Sequence, residues 1–138
     1  MPIVLMLEDD RERVDRFEAV AAKLGAELVI WADAHRMLAE LPSHLASAAL
    51  ISLDHDLLPL RDVDPGDGLD VAKHLATLAP ACPVIVHTSN RIRGDAMMGA
   101  LELAGWEHHR VPPIGDDWIE VDWFRQARRL LRSRRTTE

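Results

Sequence analysis

The chain has 138 residues, of which 48% are hydrophobic and 28% are charged, and its formal net charge is −7 at pH 7. This composition is typical of a folded globular protein and unlike that of a disordered segment. The length predicts one domain over residues 1–138. Because an acidic protein repels polyanions at long range, we expect no broad DNA binding.

No apolar run approaches the roughly 20 residues that a membrane-spanning helix needs, so we expect no membrane association. The apolar start Met1–Leu7 lacks a preceding basic segment and continues directly into acidic residues, which is unlike a signal peptide. The single cysteine, Cys82, has no partner for an internal disulfide. These features favour a reducing compartment, and we expect a cytoplasmic protein.

The hydrophobic pattern predicts short strands that alternate with helices. The predicted elements, in chain order, are strand Pro2–Leu7, a helix from Asp10 to a stop at Gly25, strand Glu27–Trp31, helix Ala34–Leu41, strand Ala49–Leu53, helix Asp67–Leu78, strand Pro83–Thr88, helix Gly94–Ala104, a weak strand His108–Val111 and helix Val121–Arg134. Such alternation is typical of a parallel sheet covered by helices on both faces, a three-layer α/β/α fold.

Acidic residues follow two of the predicted strands, where ligands bind in sheets of this kind. Glu8 and Asp9 follow the first strand, and Asp54 and Asp56 follow the third. Converging carboxylates repel each other unless a cation is present, and clustered oxygen ligands suit Mg²⁺ or Mn²⁺. The sequence therefore predicts a divalent metal site, whereas Asp10 has the alternative role of capping the following helix.

Four sequence blocks resemble the successive blocks of response-regulator receiver domains: VLMLEDDRERVDRF, ALISLDHDL, GDGLDVAKHLA and PVIVHTSN. The resemblance implies a flavodoxin-like fold with a five-stranded parallel sheet of order 2-1-3-4-5. It implies that Glu8 and Asp9 are the acidic pair, Asp54 the phosphoacceptor and Thr88 the switch hydroxyl. It also implies that the backbone carbonyl of Asp56 binds the metal.

The sequence departs from receivers after the fifth strand. Receivers carry a lysine just before the proline there, but this chain reads His108-His109-Arg110-Val111-Pro112-Pro113 and has only two lysines, Lys23 and Lys73. Arg110 and Arg91 are candidates to replace that lysine, because arginine binds oxyanions through two hydrogen bonds. The loop after Asp54 is also longer than is usual in receivers.

These departures resemble a narrower family, the cyclic-phosphate processing receiver domains. The motifs that carry the resemblance are LDHDL, the HTSN after the fourth strand, and GDDW at Gly115–Trp118. The resemblance implies a ligand that contains phosphate, either a small molecule or an RNA end.

The candidate catalytic residues are Asp54, His55, Asp56, His87 and Thr88. Two carboxylates spaced like Asp54 and Asp56 serve as nucleophile and general acid/base in haloacid-dehalogenase-type phosphatases. A histidine such as His55 or His87 exchanges protons near neutral pH, although either ring has a structural role as an alternative. The favoured hypothesis is a metal-dependent enzyme that acts on a phosphoester.

Two other hypotheses stay open. The first is a stand-alone two-component response-regulator receiver that is phosphorylated on Asp54. The second is a degenerate receiver that acts as a protein-interaction module and binds a protein partner through its C-terminal helix. The segment Asp122–Glu138 holds six arginines against two acids and provides the basic surface for such a contact.

Overall fold

The structure is a computed structural model that describes residues 1–59 and 62–137. Along these residues five strands alternate with five helices. The strands are β1 Ile3–Leu7, β2 Glu27–Trp31, β3 Ala48–Leu53, β4 Val84–Val86 and β5 His108–Arg110. The helices are α1 Arg11–Leu24, α2 Ala34–His44, α3 Gly68–Leu75, α4 Arg91–Leu103 and α5 Phe124–Thr137, with a 3-10 turn at Leu45–Ser47 and a π-helical turn at Ile119–Trp123.

The strands form a parallel sheet in the order β2-β1-β3-β4-β5, which confirms the predicted flavodoxin-like fold. The chain winds outward from β1 in both directions, first to β2 and then through β3 to β5. The carboxyl ends of β1 and β3 therefore flank the switch point, where open α/β sheets bind their ligands.

Apolar side chains alternate between the two faces of the sheet and build two cores. One core joins the sheet to α2, α3 and α4 through buried residues such as Leu7, Leu53 and Val86. The other joins it to α1 and α5 through residues such as Met6 and Ile85. Two helical layers thus enclose a central sheet, as the sequence predicts. Among the described residues, no helix is long and apolar enough to span a bilayer.

Side-chain caps set the starts of the first four helices. Asp10, Asp33, Asp67 and Asn90 each accept a hydrogen bond from the backbone N–H three residues later. The helix-capping alternative for Asp10 is therefore confirmed. Gly25, with a φ of 66°, ends α1 in the left-handed conformation that glycine adopts without strain.

Helices α2 and α4 are longer than the sequence predicts, whereas α3 ends at Leu75 rather than at Leu78, and α5 covers Phe124–Thr137 rather than Val121–Arg134. Helix α2 continues through Pro42 to His44, because a proline in the last turn removes only one hydrogen bond. The Ser43 hydroxyl bonds the Glu40 carbonyl oxygen at 2.9 Å and extends that turn. Helix α4 begins at Arg91 rather than at Gly94, because Asn90 provides an earlier cap.

Candidate metal centre

Three carboxylates meet at the carboxyl ends of β1 and β3. Leu7 and Leu53 are register partners in the parallel ladder, so the chain leaves both strands at the same edge. One oxygen from each of Glu8, Asp9 and Asp54 lies within 4.8 Å of the other two. The sequence prediction that these residues converge is therefore matched by their geometry.

The environment of the cluster opposes negative charge at two of its members. Burial raises the pKa of Asp54, and the neighbouring charge of Glu8 adds to this effect. Burial also raises the pKa of Asp9, although the backbone N–H of Leu58 donates a hydrogen bond to its carboxylate and partly offsets the shift. Converging carboxylates that repel one another and offer oxygen donors are chemically suited to a hard divalent cation.

Glu8 is instead kept ionised by a buried histidine. Burial alone would raise the pKa of Glu8, but its interaction with His87, the backbone N–H of Asp10 and the charge of Arg13 together outweigh burial, so the pKa is lowered. The Nε2 atom of His87 lies 3.1 Å from Glu8 Oε1, and both side chains are fully buried. Glu8 Oε2 also accepts the backbone N–H groups of Asp9 and Asp10, each at 3.1 Å.

A buried chain of hydrogen bonds continues behind His87 toward α5. The Nδ1 atom of His87 lies 2.7 Å from the Ser52 hydroxyl oxygen, which accepts a hydrogen bond from Trp123 Nε1 at 3.0 Å. The His87 ring also packs against Phe17, with 5.2 Å between ring centroids. His87, one of the five candidate catalytic residues, therefore lies behind Glu8 and has no exposed surface.

His55 occupies a different position, at the start of the loop after β3. Its Nδ1 atom lies 2.9 Å from Asp56 Oδ1, and its Nε2 atom lies 3.5 Å from Asp67 Oδ2. The backbone N–H of His55 donates to Asp54 Oδ1 at 2.7 Å. Gly68 keeps this loop close to the sheet, because a Cβ there would overlap the Asp54 carbonyl oxygen.

The Asp56 side chain lies outside the cluster of three carboxylates. It accepts from His55 and faces the Asn90 amide nitrogen at 3.4 Å, and it is 63% exposed. Thr88 is fully buried at the end of β4, where its hydroxyl oxygen accepts the backbone N–H of Asn90 at 3.1 Å. Thr88 and Asn90 thus fix the turn that enters α4.

Among the described residues, the two arginines proposed from the sequence as lysine replacements form no ion pair with the three carboxylates. Arg110 Nη1 is 3.4 Å from Asp95 Oδ1, and its Nη2 donates to the Thr88 carbonyl oxygen at 3.3 Å. Its guanidinium fills the space over Gly94, where a Cβ would lie 2.6 Å from it. Arg91 is exposed at the start of α4. Val111, which precedes Pro112 where receivers carry a lysine, is buried.

Arg13 is the cation beside the acidic cluster, and the sequence analysis missed it. Its Nη1 atom lies 3.7 Å from Glu8 Oε1 and 3.9 Å from Asp54 Oδ2. Its guanidinium carbon lies 5.3 Å from the centroid of the Trp118 ring. The available signal was its place in the first turn of α1, because that turn starts directly after Glu8 and Asp9.

A model of one protein family matches most of the chain. The family model described as "Cyclic-phosphate processing Receiver domain" matches residues 3–103. The chain belongs to this family. A search among curated proteins found no match.

Solved structures with the same fold are receiver domains. A CheY-like receiver from Methanospirillum hungatei JF-1 aligns with a TM-score of 0.66 at 15% identity over 97% of this chain and 98% of its own. A two-component response regulator from Clostridium difficile aligns with a TM-score of 0.68 at 16% identity over 96% and 97%. The Mn²⁺-bound form of response regulator Rcp1 aligns with a TM-score of 0.65 at 20% identity over 93% and 90%. Likeness at this identity shows the fold alone.

Proposed function

We propose that Glu8, Asp9 and Asp54 bind a divalent cation, Mg²⁺ or Mn²⁺, and that the site processes a phosphoester held beside it. The convergence of three carboxylates within 4.8 Å carries this proposal. The family description supports a cyclic phosphate, of an RNA end or a nucleotide, as the ligand. The Mn²⁺ in the Rcp1 structure supports the choice of metal.

The metal, when bound, would neutralise carboxylate and phosphate charge at the site. Glu8, Asp9 and Asp54 would hold it, with the backbone carbonyl of Asp56 as a further ligand. Asp54 presents its carboxylate where β3 ends, and its backbone hydrogen bond from His55 fixes the orientation of that group. The Thr88 hydroxyl, which follows β4, is proposed to have the role of the receiver switch hydroxyl.

His55 and Asp56 are proposed to move the proton. Their side chains form a hydrogen-bonded pair of 2.9 Å, and the exposed Asp56 carboxylate gives that pair access to water or to the leaving group. His87 is proposed as a positioning residue, because its buried ring reaches Glu8 but has no exposed surface.

Calorimetric titration with Mg²⁺ or Mn²⁺ tests the metal site. We expect binding to the wild type and none to Asp54→Ala, because that change removes a ligand from the centre of the cluster. Asp122→Asn, an exposed acid in the π-helical turn and outside the cluster, should bind like the wild type. Equal binding by Asp54→Ala and the wild type would contradict the assignment.

Turnover tests the enzymatic part of the proposal. RNA oligomers that end in a 2′,3′-cyclic phosphate are incubated with protein and Mg²⁺ or Mn²⁺, and the products are separated by chromatography. We expect hydrolysis by the wild type. If no cyclic or linear phosphoester is converted with either metal, the domain is not an esterase of this class.

A signalling receiver phosphorylated on Asp54 is the second candidate, favoured by the placement of Asp54 and Thr88 at neighbouring strand ends. Incubation with acetyl phosphate and Mg²⁺ followed by intact-mass measurement tests it. We expect little or only transient gain of about 80 Da, the mass of one phosphoryl group, because Val111 occupies the position of the receiver lysine. A long-lived adduct on Asp54 would favour signalling over ester processing.

A further inference from the structure

We propose that Arg13 binds the phosphate oxygens of the ligand at this site. It would take the role of the lysine that receivers carry after their fifth strand. This inference rests on the proposed function, because it names the group that receives the phosphate beside the metal. It assigns that role to helix α1 instead of to the segment after β5.

The guanidinium of Arg13 stands beside the cluster without being hydrogen-bonded to it. Its distances to Glu8 and Asp54, 3.7 and 3.9 Å, are ion-pair distances that exceed a hydrogen bond. The side chain is 27% exposed and lines an open cavity. Arginine offers paired donors that match two oxygens of a phosphate.

An aromatic surface holds the guanidinium in this place. Trp118 is only 3% exposed, and its ring packs edge-on against Phe17 with 5.7 Å between centroids. The backbone N–H of Trp123 donates to the Trp118 carbonyl oxygen at 2.8 Å, which fixes the residue further. A cation over such a ring is attracted to the aromatic face, and its N–H groups remain available to a ligand.

A neighbouring arginine on the same helix shows the contrast. Arg16 donates to both Glu120 oxygens, at 2.9 and 2.7 Å, and to the Asp116 carbonyl oxygen at 2.7 Å. These three hydrogen bonds use the Nε and Nη2 groups of Arg16, and its Nη1 atom lies at an ion-pair distance of 3.7 Å from Glu12 Oε1. Arg13 and Arg16 line one cavity of about 380 Å³ with Asp116 and Trp118, and of these two arginines only Arg16 has a guanidinium that is hydrogen-bonded within the described residues. Arg13 therefore borders both this cavity and the acidic cluster, although none of Glu8, Asp9 and Asp54 lines the cavity.

Metal binding strengthens this role of Arg13. A divalent cation held by the carboxylates would repel the guanidinium and would offset the negative charge that holds it in the ion pairs. A phosphate anion that enters with the metal then offers Arg13 a new partner. Metal and phosphate are thus expected to bind in that order and to reinforce each other.

The test measures metal and phosphate binding separately by calorimetry. The probes are Mg²⁺ alone, and inorganic phosphate at saturating Mg²⁺, on the full chain with Arg13→Gln, Arg13→Lys and Arg11→Gln. Arg11 is the matched control, because it lies on the same helix with a 90% exposed side chain and a single ion pair to Asp15. Circular dichroism and urea unfolding confirm that each variant is folded.

We expect Arg13→Gln to weaken phosphate binding about tenfold to a hundredfold, the range for a lost charge-assisted hydrogen bond. The same variant should bind Mg²⁺ as tightly as the wild type or more tightly, because a nearby positive charge has been removed. Arg13→Lys should keep part of the phosphate affinity, and Arg11→Gln all of it. If Arg13→Gln does not fold, the phosphate affinity of Arg13→Lys is decisive. A severalfold loss of that affinity would support the inference, and an unchanged affinity would contradict it.

Three results would overturn the inference: no phosphate binding to the metal-loaded wild type, unchanged phosphate binding in Arg13→Gln, or equal losses of phosphate and Mg²⁺ affinity in that variant. The last pattern would mean that Arg13 only supports the fold of the pocket. Phosphate binding that depends on Arg13, without turnover of any ester, would uphold this inference and remove the enzymatic proposal.

Discussion

His87 and His55 follow neighbouring strands and are both buried, yet the structure gives them opposite surroundings. Both ring nitrogens of His87 have hydrogen-bond partners, Glu8 on one side and Ser52 on the other. His55 bonds only Asp56 through its ring, and its buried Nε2 atom has no hydrogen-bond partner among the described residues. A ring with both nitrogens engaged orients its neighbours, whereas a ring beside an exposed carboxylate has a route for proton exchange.

The largest expected effect comes from His87→Ala. It leaves the buried Glu8 carboxylate without its partner, and breaking a buried pair of this kind costs about 3–5 kcal/mol of stability. Metal affinity should also fall about tenfold to a hundredfold, because Glu8 loses the group that orients it. Urea unfolding and Mg²⁺ titration measure the two effects. A stable variant with unchanged metal affinity would show that His87 does not position Glu8.

His55→Ala should act on turnover instead. We expect the kcat for a cyclic phosphate to fall about a hundredfold, the usual loss of a general acid or base, with metal affinity nearly unchanged. Asp56→Asn should give a similar loss, because the two side chains act as a pair. His74→Ala, on helix α3, is the matched control and should keep full activity. Full activity in both pair variants would contradict their proton-transfer role.

Ser52→Ala tests whether the support behind His87 extends to α5. The change removes the hydroxyl that bonds both His87 and Trp123, and leaving buried polar groups unpaired costs about 1–3 kcal/mol. We expect lower stability in urea unfolding and only a severalfold loss of Mg²⁺ affinity. A neutral result would mean that His87 keeps its position through Phe17 packing alone.

The parts of this molecule that local signals determine were predicted from the sequence. Short apolar runs separated by helical periods predict the sheet. Asp10 marks the start of α1 through its side chain, which accepts the Arg13 N–H, and Gly25 marks the end through its backbone N–H. The acidic cluster was predicted because strand ends in a parallel sheet share one edge. These features depend on chain neighbours or on a general rule of topology.

The interactions that the sequence did not predict depend on residues far apart in the chain. Ser52 lies inside an apolar strand, and its importance appears only when β4 and the π-helical turn bring His87 and Trp123 to it. Arg13 lies in an ordinary run of charged residues in α1. Its role follows from Trp118, which reaches the same pocket through the segment after β5, and no local pattern links the two.

Asp54→Asn is expected to change the free energy of unfolding least. The sign of that change shows whether the negative charge of Asp54 destabilises the metal-free site. Without metal the variant should be more stable than the wild type at pH 7 by about 1 kcal/mol, the Coulomb energy of two charges some 4 Å apart in water. The asparagine oxygen can still accept the N–H of His55, so the change mainly removes charge. Urea unfolding at several pH values, with Asp122→Asn as the control for an exposed acid, measures the difference.

The pH dependence of that gain follows from the raised pKa of Asp54, which burial and the charge of Glu8 produce. Folded wild type holds the proton more tightly than the unfolded chain, whose aspartate titrates near its ordinary pKa of 3.8. The wild type therefore loses stability through Asp54 as pH rises from 3.8 through the folded pKa of that group, and the variant lacks this contribution. The gain should be absent below pH 3.8, grow above it and reverse at saturating Mg²⁺, because only the wild type binds the metal fully. A gain that is independent of pH would exclude the Asp54 charge as its cause.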